Sequence, residues 1–160
     1  KLGLPQEDID KLRIGGLFHD IGKIGIPDNI LKKESKLTNE EYDEIQTHTS
    51  LGVDILIRNK VFKEIIPIVE YHHEKYDGNG YPFKLKGEEI PLAARITAVA
   101  DTFDAMTSKR SYRDPIPLTD VVQEFKKCSG TQFDPNIVNT FLDIINNEYD
   151  VIEQIQQKYN

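Results

Sequence analysis

Apolar residues recur at helical spacing along most of this chain, and the residues between them mark where each run starts and stops. Pro5, Glu7 and Asp8 suit the first turn of a helix, where proline forgoes no hydrogen bond and acids favour the dipole; Leu17, Ile21 and Ile24 follow at helical spacing, and Gly25 and Pro27 end the run. Thr38 and Glu41 make a T-x-x-E capping box, with Tyr42, Ile45, Thr49, Gly52 and Leu56 down one side of the helix it opens. His48 stands beside that inner stripe. A third run carries Phe62, Ile65, Ile66 and Val69, and its spacing continues into His72 and His73, with Pro67 as a candidate kink.

Residues 74–90 (EKYDGNGYPFKLKGEEI) hold three glycines and a proline without apolar periodicity, which predicts an ordered-turn loop. Pro91 then opens a helix with Leu92, Ile96, Val99, Phe103 and Met106 on one stripe, and Ala94, Thr97, Asp101 and Asp104 on a second, small and acidic one. Asp101 therefore sits where a neighbouring helix can come close. Two more helices are expected, one from about Thr119 to Gly130 and one capped by Asp134 with Pro135 at its first position. No segment reads as a strand, so the expected fold is an all-α helical bundle of six or so elements, one domain over residues 1–147 with a helical tail at 148–160.

A chain of 160 residues can bury a core of ordinary size, and 29% charged with 38% hydrophobic residues argues against disorder. The net charge of −7 opposes loose association with DNA or anionic lipid, so a polyanionic ligand needs a local exception such as bound cations. No apolar run reaches the ~20 residues of a membrane-spanning helix, and Lys1 opens on Pro5 and acidic residues rather than a basic-then-apolar stretch, so neither membrane insertion nor a signal sequence is expected. The single cysteine, Cys128, makes no internal disulfide, which fits a soluble protein of the reducing cytoplasm.

All four histidines fall within the first 73 residues, three of them at or near apolar faces. A buried imidazole needs a hydrogen-bond partner or a metal, because leaving it unpaired costs roughly 1 to 3 kcal/mol. Any one of these alone reads best as a core histidine satisfied by its neighbours. Together His19 and Asp20 on one helix, His48 on a second, His72 and His73 ending a third and Asp101 on a fourth supply six potential ligands from four elements. Imidazole with carboxylate suits Fe, Mn, Zn or Ni, and a carboxylate such as Asp20 can bridge two ions. Without a thiolate in the set, a structural zinc knot is not expected. No serine or cysteine nucleophile stands beside a histidine base at a recognisable spacing.

Three segments are more specific still: HDIGK from His19, HHEKYDGNGYP from His72 to Pro82, and RITAVADTFDAMTSKRSYR from Arg95 to Arg113, followed by GTQFDP at 130–135. The chain resembles the HD-GYP family, within the HD superfamily of metal-dependent phosphohydrolases, from about Leu17 to Pro135. The resemblance implies an HD-type helical bundle with an irregular GYP loop, and a phosphodiesterase hydrolysing cyclic di-GMP to linear pGpG or GMP. It also implies the setting: an output module beside an upstream sensory or receiver domain, with diguanylate cyclase (GGDEF) domains as partners of the GYP loop. The implied metal ligands are His19, Asp20, His48, His72, His73 and Asp101, with Asp20 bridging two divalent ions, Fe or Mn first and Zn, Ni or Mg as further candidates.

Lys23 resembles the family's lysine, one helical turn beyond His19, where it could neutralise a phosphate oxygen or protonate the leaving oxygen; the alternative is a solvated surface lysine. Arg110 and Arg113 resemble a phosphate-contacting pair, against a plain charge run at a helix end. Tyr81, within Gly80-Tyr81-Pro82, is expected to line the site on the substrate side, although shaping the loop would explain the motif too. Asp77 either hydrogen-bonds a ligating histidine or caps a turn. In one respect the chain departs from the family, whose metal centre takes a further histidine from an upstream helix. None of the 18 residues before His19 is a histidine, so the sequence is expected to be a fragment cut just after that helix, the alternative being a divergent site; either way the second metal position is short of a ligand. A signalling module that binds without turnover, and a hydrolase of another phosphoester, are the competing readings.

Overall fold

Thr38 caps a helix as its motif predicts: its hydroxyl accepts the Glu41 N–H at 3.2 Å while the Glu41 carboxylate accepts the Thr38 N–H at 2.8 Å. The structure, a computed structural model, describes residues 1–109 and 114–159. Its α-helices are α1 (Gln6–Phe18), α2 (Asp28–Leu31), α3 (Asn39–Gln46), α4 (His48–Leu56), α5 (Ile66–Tyr71), α6 (Leu92–Thr107), α7 (Leu118–Cys128) and α8 (Pro135–Tyr159), with short 3-10 turns at Ile21–Gly25, Lys60–Phe62 and Gly87–Glu89. Among the described residues there is no strand, only an isolated bridge between Ser129 and Phe133. The all-α expectation holds.

Two apolar clusters flank α6. Val99 and Phe103 of α6 pack with Val121 and Phe125 of α7 and Ile137, Val138 and Ile145 of α8. On the other side Leu56, Ile65 and Val69 pack with Phe18, Ile21, Phe62 and Ile66. Phe125 is fully buried against Phe133 and Phe141, at centroid distances of 5.0 Å each, and truncating such a ring typically costs about 3 to 5 kcal/mol. The small stripe of α6 is buried too, at Ala94 and Thr97, which lets α5 and α1 come close.

Three expected helices differ from what forms. The first was to run to Gly25 on a Leu17, Ile21, Ile24 stripe, but α1 stops at Phe18, and Leu17 and Ile24 are 83% and 78% exposed. Gly22 explains the stop. A Cβ there would lie 1.8 Å from the His48 carbonyl oxygen, so residues 21–25 press backbone to backbone onto α4 in a tighter 3-10 turn. The Tyr42-to-Leu56 helix is two helices, broken at Thr47. Pro67 does not kink its helix; it sits in the first turn of α5, where its missing N–H has no partner to lose.

The later boundaries agree better. Asp134 caps α8 by accepting the Asn136 N–H at 2.8 Å, and α8 departs from helical geometry at Glu148 (φ −138°), where the tail was expected to begin. Residues 74–90 form a loop tied to the α7–α8 turn by Tyr76 N–H to Gln132 O at 3.2 Å and Asp77 N–H to Thr131 O at 2.8 Å. Arg95 closes the frame, donating to Ile90 O at 2.9 Å and to the buried Asp134 carboxylate at 2.5 Å.

Candidate metal centre

Three histidines sit at helix ends, and each spends its Nδ1 in the same way. His19, just past α1, is 2.7 Å from Gly16 O; His48, at the α3–α4 break, is 2.6 Å from Ile45 O; His72, just past α5, is 2.9 Å from Val69 O. Carbonyls in a last helical turn lack an intrahelical partner, so the breaks at Phe18, Thr47 and Tyr71 supply these acceptors. A carbonyl has no proton to give, so each Nδ1 carries the hydrogen and donates. In a neutral ring Nε2 is then left with a bare lone pair.

Those lone pairs converge on Asp20. His48 Nε2 and His72 Nε2 lie 3.4 and 3.8 Å from Asp20 Oδ1 and 3.5 Å from one another. Two acceptors facing each other beside a carboxylate oxygen have no proton to share, and a cation is what relieves them. Asp20 Oδ1 and His19 Nε2 are buried with no hydrogen-bond partner among the described residues. Ligand atoms of Asp20, His48, His72 and His73 all fall within 4.8 Å of one another, near the ~4 Å that separates opposed ligands of one ion at 2.0–2.2 Å bond lengths. The donor set fits a divalent metal.

The other oxygen, Asp20 Oδ2, faces the opposite way, 3.4 Å from His19 Nε2 and 2.5 Å from Lys23 Nζ, and His19 Nε2 is 3.5 Å from Asp101 Oδ1. Asp20 thus divides its carboxylate between a His48/His72/His73 side and a His19/Asp101 side. The electrostatics divide likewise. Burial, and then the charge on His19, push His72 down to about 4, while burial and the neighbouring His72 take His73 to about 3, and burial lowers His48. These three rings are neutral near pH 7, as metal ligation requires. For His19 burial works downward, but the carboxylates of Asp101 and Asp20, 3.5 and 3.4 Å from its Nε2, outweigh it and raise the group to about 10. Against the same burial, His19 and Lys23 hold Asp20 well below the carboxylate range, and His19 holds Asp101 down.

The remaining candidates scatter. Lys23 is on the 3-10 turn rather than on a continued helix, yet the tighter turn brings its ammonium onto Asp20. Tyr81 stacks on His73 at 4.8 Å and 28°, its phenol pushed up by burial and then by the charges of Tyr42, Asp20 and Asp101. Asp77 is a turn cap, accepting the Asn79 N–H at 2.9 Å. Arg110 and Arg113 lie outside the described residues. Sequence reasoning passed over Glu74, a buried carboxylate directly after His73 that accepts the N–H groups of Phe83 at 2.7 Å and Leu85 at 3.1 Å. Its only signal was an acid at the mouth of a loop rich in backbone donors.

A family model described as "HD domain" matches residues 1–137. A 3'3'-cGAMP-specific phosphodiesterase of Vibrio cholerae is 42% identical over 146 residues, covering 88% of this chain and 27% of its own length. A cyclic di-GMP phosphodiesterase of Thermotoga maritima is also 42% identical, over 144 residues, 89% of this chain and 39% of its own. The solved structure of a cyclic GMP-AMP-specific phosphodiesterase from V. cholerae superposes with a TM-score of 0.70 at 23% identity, covering 92% of this chain and 41% of that one. The chain thus spans between about a quarter and two-fifths of the length of these relatives.

Proposed function

The chain belongs to the HD domain family, and from that premise we propose that it is the hydrolytic module of a divalent-metal-dependent phosphodiesterase acting on cyclic di-GMP. The observation that carries this reading is the set of Nε2 lone pairs turned on Asp20, with Asp20 Oδ1 and His19 Nε2 buried and unpartnered. His48, His72, His73 and Asp20 would hold one ion; His19 and Asp101, with the second oxygen of Asp20, would hold another, Fe or Mn suiting the mixed donors best. When bound, such ions supply Lewis acidity toward a phosphodiester and acidify water to act as nucleophile.

The chain's own residues do the rest. Lys23, partly exposed at the edge of the cluster, neutralises a non-bridging phosphate oxygen as charge develops or hands a proton to the leaving oxygen. Lys23 Nζ is held on Asp20 Oδ2 at 2.5 Å, so a metal-bound Asp20 would leave this ammonium beside the cluster as the cation available to a phosphate. Tyr81 walls the site over His73, and Arg110 and Arg113 are assigned to phosphate on the family resemblance. The substrate places the module in the cytoplasm, as the output of a longer signalling protein with GGDEF domains as partners of the 80–82 loop.

Relatives named for 3'3'-cGAMP and for cyclic di-GMP are equally similar, so substrate choice needs a direct comparison. Both dinucleotides should be incubated with Mn²⁺- or Fe²⁺-loaded protein and the products separated by chromatography. Conversion of cyclic di-GMP to pGpG or GMP, stopped by a chelator, is the expected result. Faster turnover of 3'3'-cGAMP would reassign the substrate, and tight binding with no turnover of either would make this a binding module.

A further inference from the structure

We propose that Glu74 is a positioning residue for His73, acting through Tyr81; this rests on the reading of the Asp20–histidine cluster as a metal centre. His19, His48 and His72 are each oriented by an Nδ1–H bond to a backbone carbonyl. Among the described residues no such bond reaches His73. Its ring is held by ring contacts instead: His72 tilted against it at 4.0 Å, His48 edge-on at 5.0 Å and, stacked on its face, Tyr81 at 4.8 Å. Whatever holds Tyr81 therefore sets how His73 presents its nitrogen.

Tyr81 is held from two sides. Its own N–H donates to His73 O at 3.3 Å, a long bond. Two and four residues further on, Phe83 and Leu85 donate to the two oxygens of Glu74, at 2.7 and 3.1 Å. Glu74 is only 4% exposed, and among the described residues no cation pairs with it. The carboxylate is thus stabilised there by the loop amides alone, and the loop in turn by the carboxylate. Gly80 completes the closure: a Cβ there would lie 2.2 Å from Lys75 N and 2.5 Å from Glu74 Cα, so the loop returns to backbone contact beside the residue that anchors it.

The two N–H donors each meet a different oxygen of Glu74, Phe83 at Oε1 and Leu85 at Oε2, and an amide offers an acceptor at only one of those two positions. Glu74→Gln keeps the shape but turns an NH₂ toward one of the two N–H groups, freeing that strand of the loop and with it Tyr81. Glu74→Asp keeps the charge but is one methylene too short to reach both amides.

The test uses Co²⁺ alone, titrated into the whole chain and followed by its visible absorption, for wild type, Glu74→Gln, Glu74→Asp, Tyr81→Ala and the Glu74→Gln/Tyr81→Ala double variant. Supporting partners of metal ligands typically change affinity about 10- to 100-fold, so each single variant should weaken Co²⁺ by about tenfold, with the Glu74→Gln spectrum altered in the same sense as that of Tyr81→Ala. The double variant should bind within about twofold of Tyr81→Ala, because both changes act on one link. Wild-type affinity and spectrum in Glu74→Gln, losses that multiply in the double variant, or an unfolded Glu74→Gln beside a wild-type-like Glu74→Asp would overturn the role of Glu74 and leave the metal centre standing. Failure of the wild type itself to bind Co²⁺ would overturn both.

Discussion

Gly22→Ala should damage stability and metal binding together, because one backbone contact underlies both. The new Cβ would stand 1.8 Å from His48 O, 2.5 Å from Gly52 N and 2.8 Å from His48 C. These are backbone atoms, so no side chain can swing aside, and non-bonded carbon and oxygen need roughly 3.2 Å or more even when close-packed. The 3-10 turn and α4 must part by about 1.4 Å. Overpacking of this kind typically costs about 1 to 3 kcal/mol. The same movement separates His48 from Asp20, whose Nε2 and Oδ1 are 3.4 Å apart, toward about 4.8 Å if it falls along that line. Two ligands of one ion at ~2.1 Å each cannot stand much beyond ~4.2 Å apart, so the pair would no longer close on one cation. Urea unfolding gives the stability and Mn²⁺ titration the affinity. A variant within 0.5 kcal/mol of wild type by the first and unchanged by the second would refute the close approach of Gly22 to α4.

The remaining expectations concern charge, acidity and the frame. In metal-free protein His72 and His73 sit at about 4 and 3, so below 6.5 the unfolded chain takes up protons that the folded one refuses, and stability falls as pH drops toward 4. His19, at about 10, works the other way: the folded state keeps its proton above 6.5, and that stabilisation is lost as pH climbs toward 10. Urea midpoints in chelator should therefore peak near neutral pH, and a flat profile from 4 to 7 would contradict neutral burial of the two histidines. Asp134→Ala strands the Arg95 guanidinium and uncaps α8, at about 3 to 5 kcal/mol; a thermal midpoint unchanged by the substitution would show that the ion pair holds nothing. Lys23→Ala should lower kcat more than metal affinity, and equal losses in both would return that lysine to a supporting part.

Signals that act within one helical turn could be read from the sequence alone. The Thr38–Glu41 box, the Asp134 cap and the two stripes of α6 all depend on spacings of two to four residues, and the structure reproduces the box, the cap and the middle of each stripe (Val99 and Phe103, Ala94 and Thr97), while Leu92 and Asp104 are exposed. What could not be read depends on contact between distant segments. Nothing near Leu17 says that α1 stops at Phe18; the reason is Gly22 against His48, a neighbour brought by α4. Likewise the break at Thr47 interrupts a stripe whose periodicity runs straight through it, and that break frees the Ile45 carbonyl for His48. The six candidate ligands could be named from their residue types and motifs. Their orientation could not, since it comes from helix ends that fold only against one another.

Metal content is where the whole reading stands or falls. Wild type and Asp20→Asn, both helical by circular dichroism, should be dialysed to equilibrium against Mn²⁺ and the bound metal counted per chain. At least one ion on the wild type and background on Asp20→Asn is the expected result, because an amide bridges cations poorly and Asp20 is the group on which the histidine nitrogens converge. An empty wild type, or equal metal on both proteins, would contradict it.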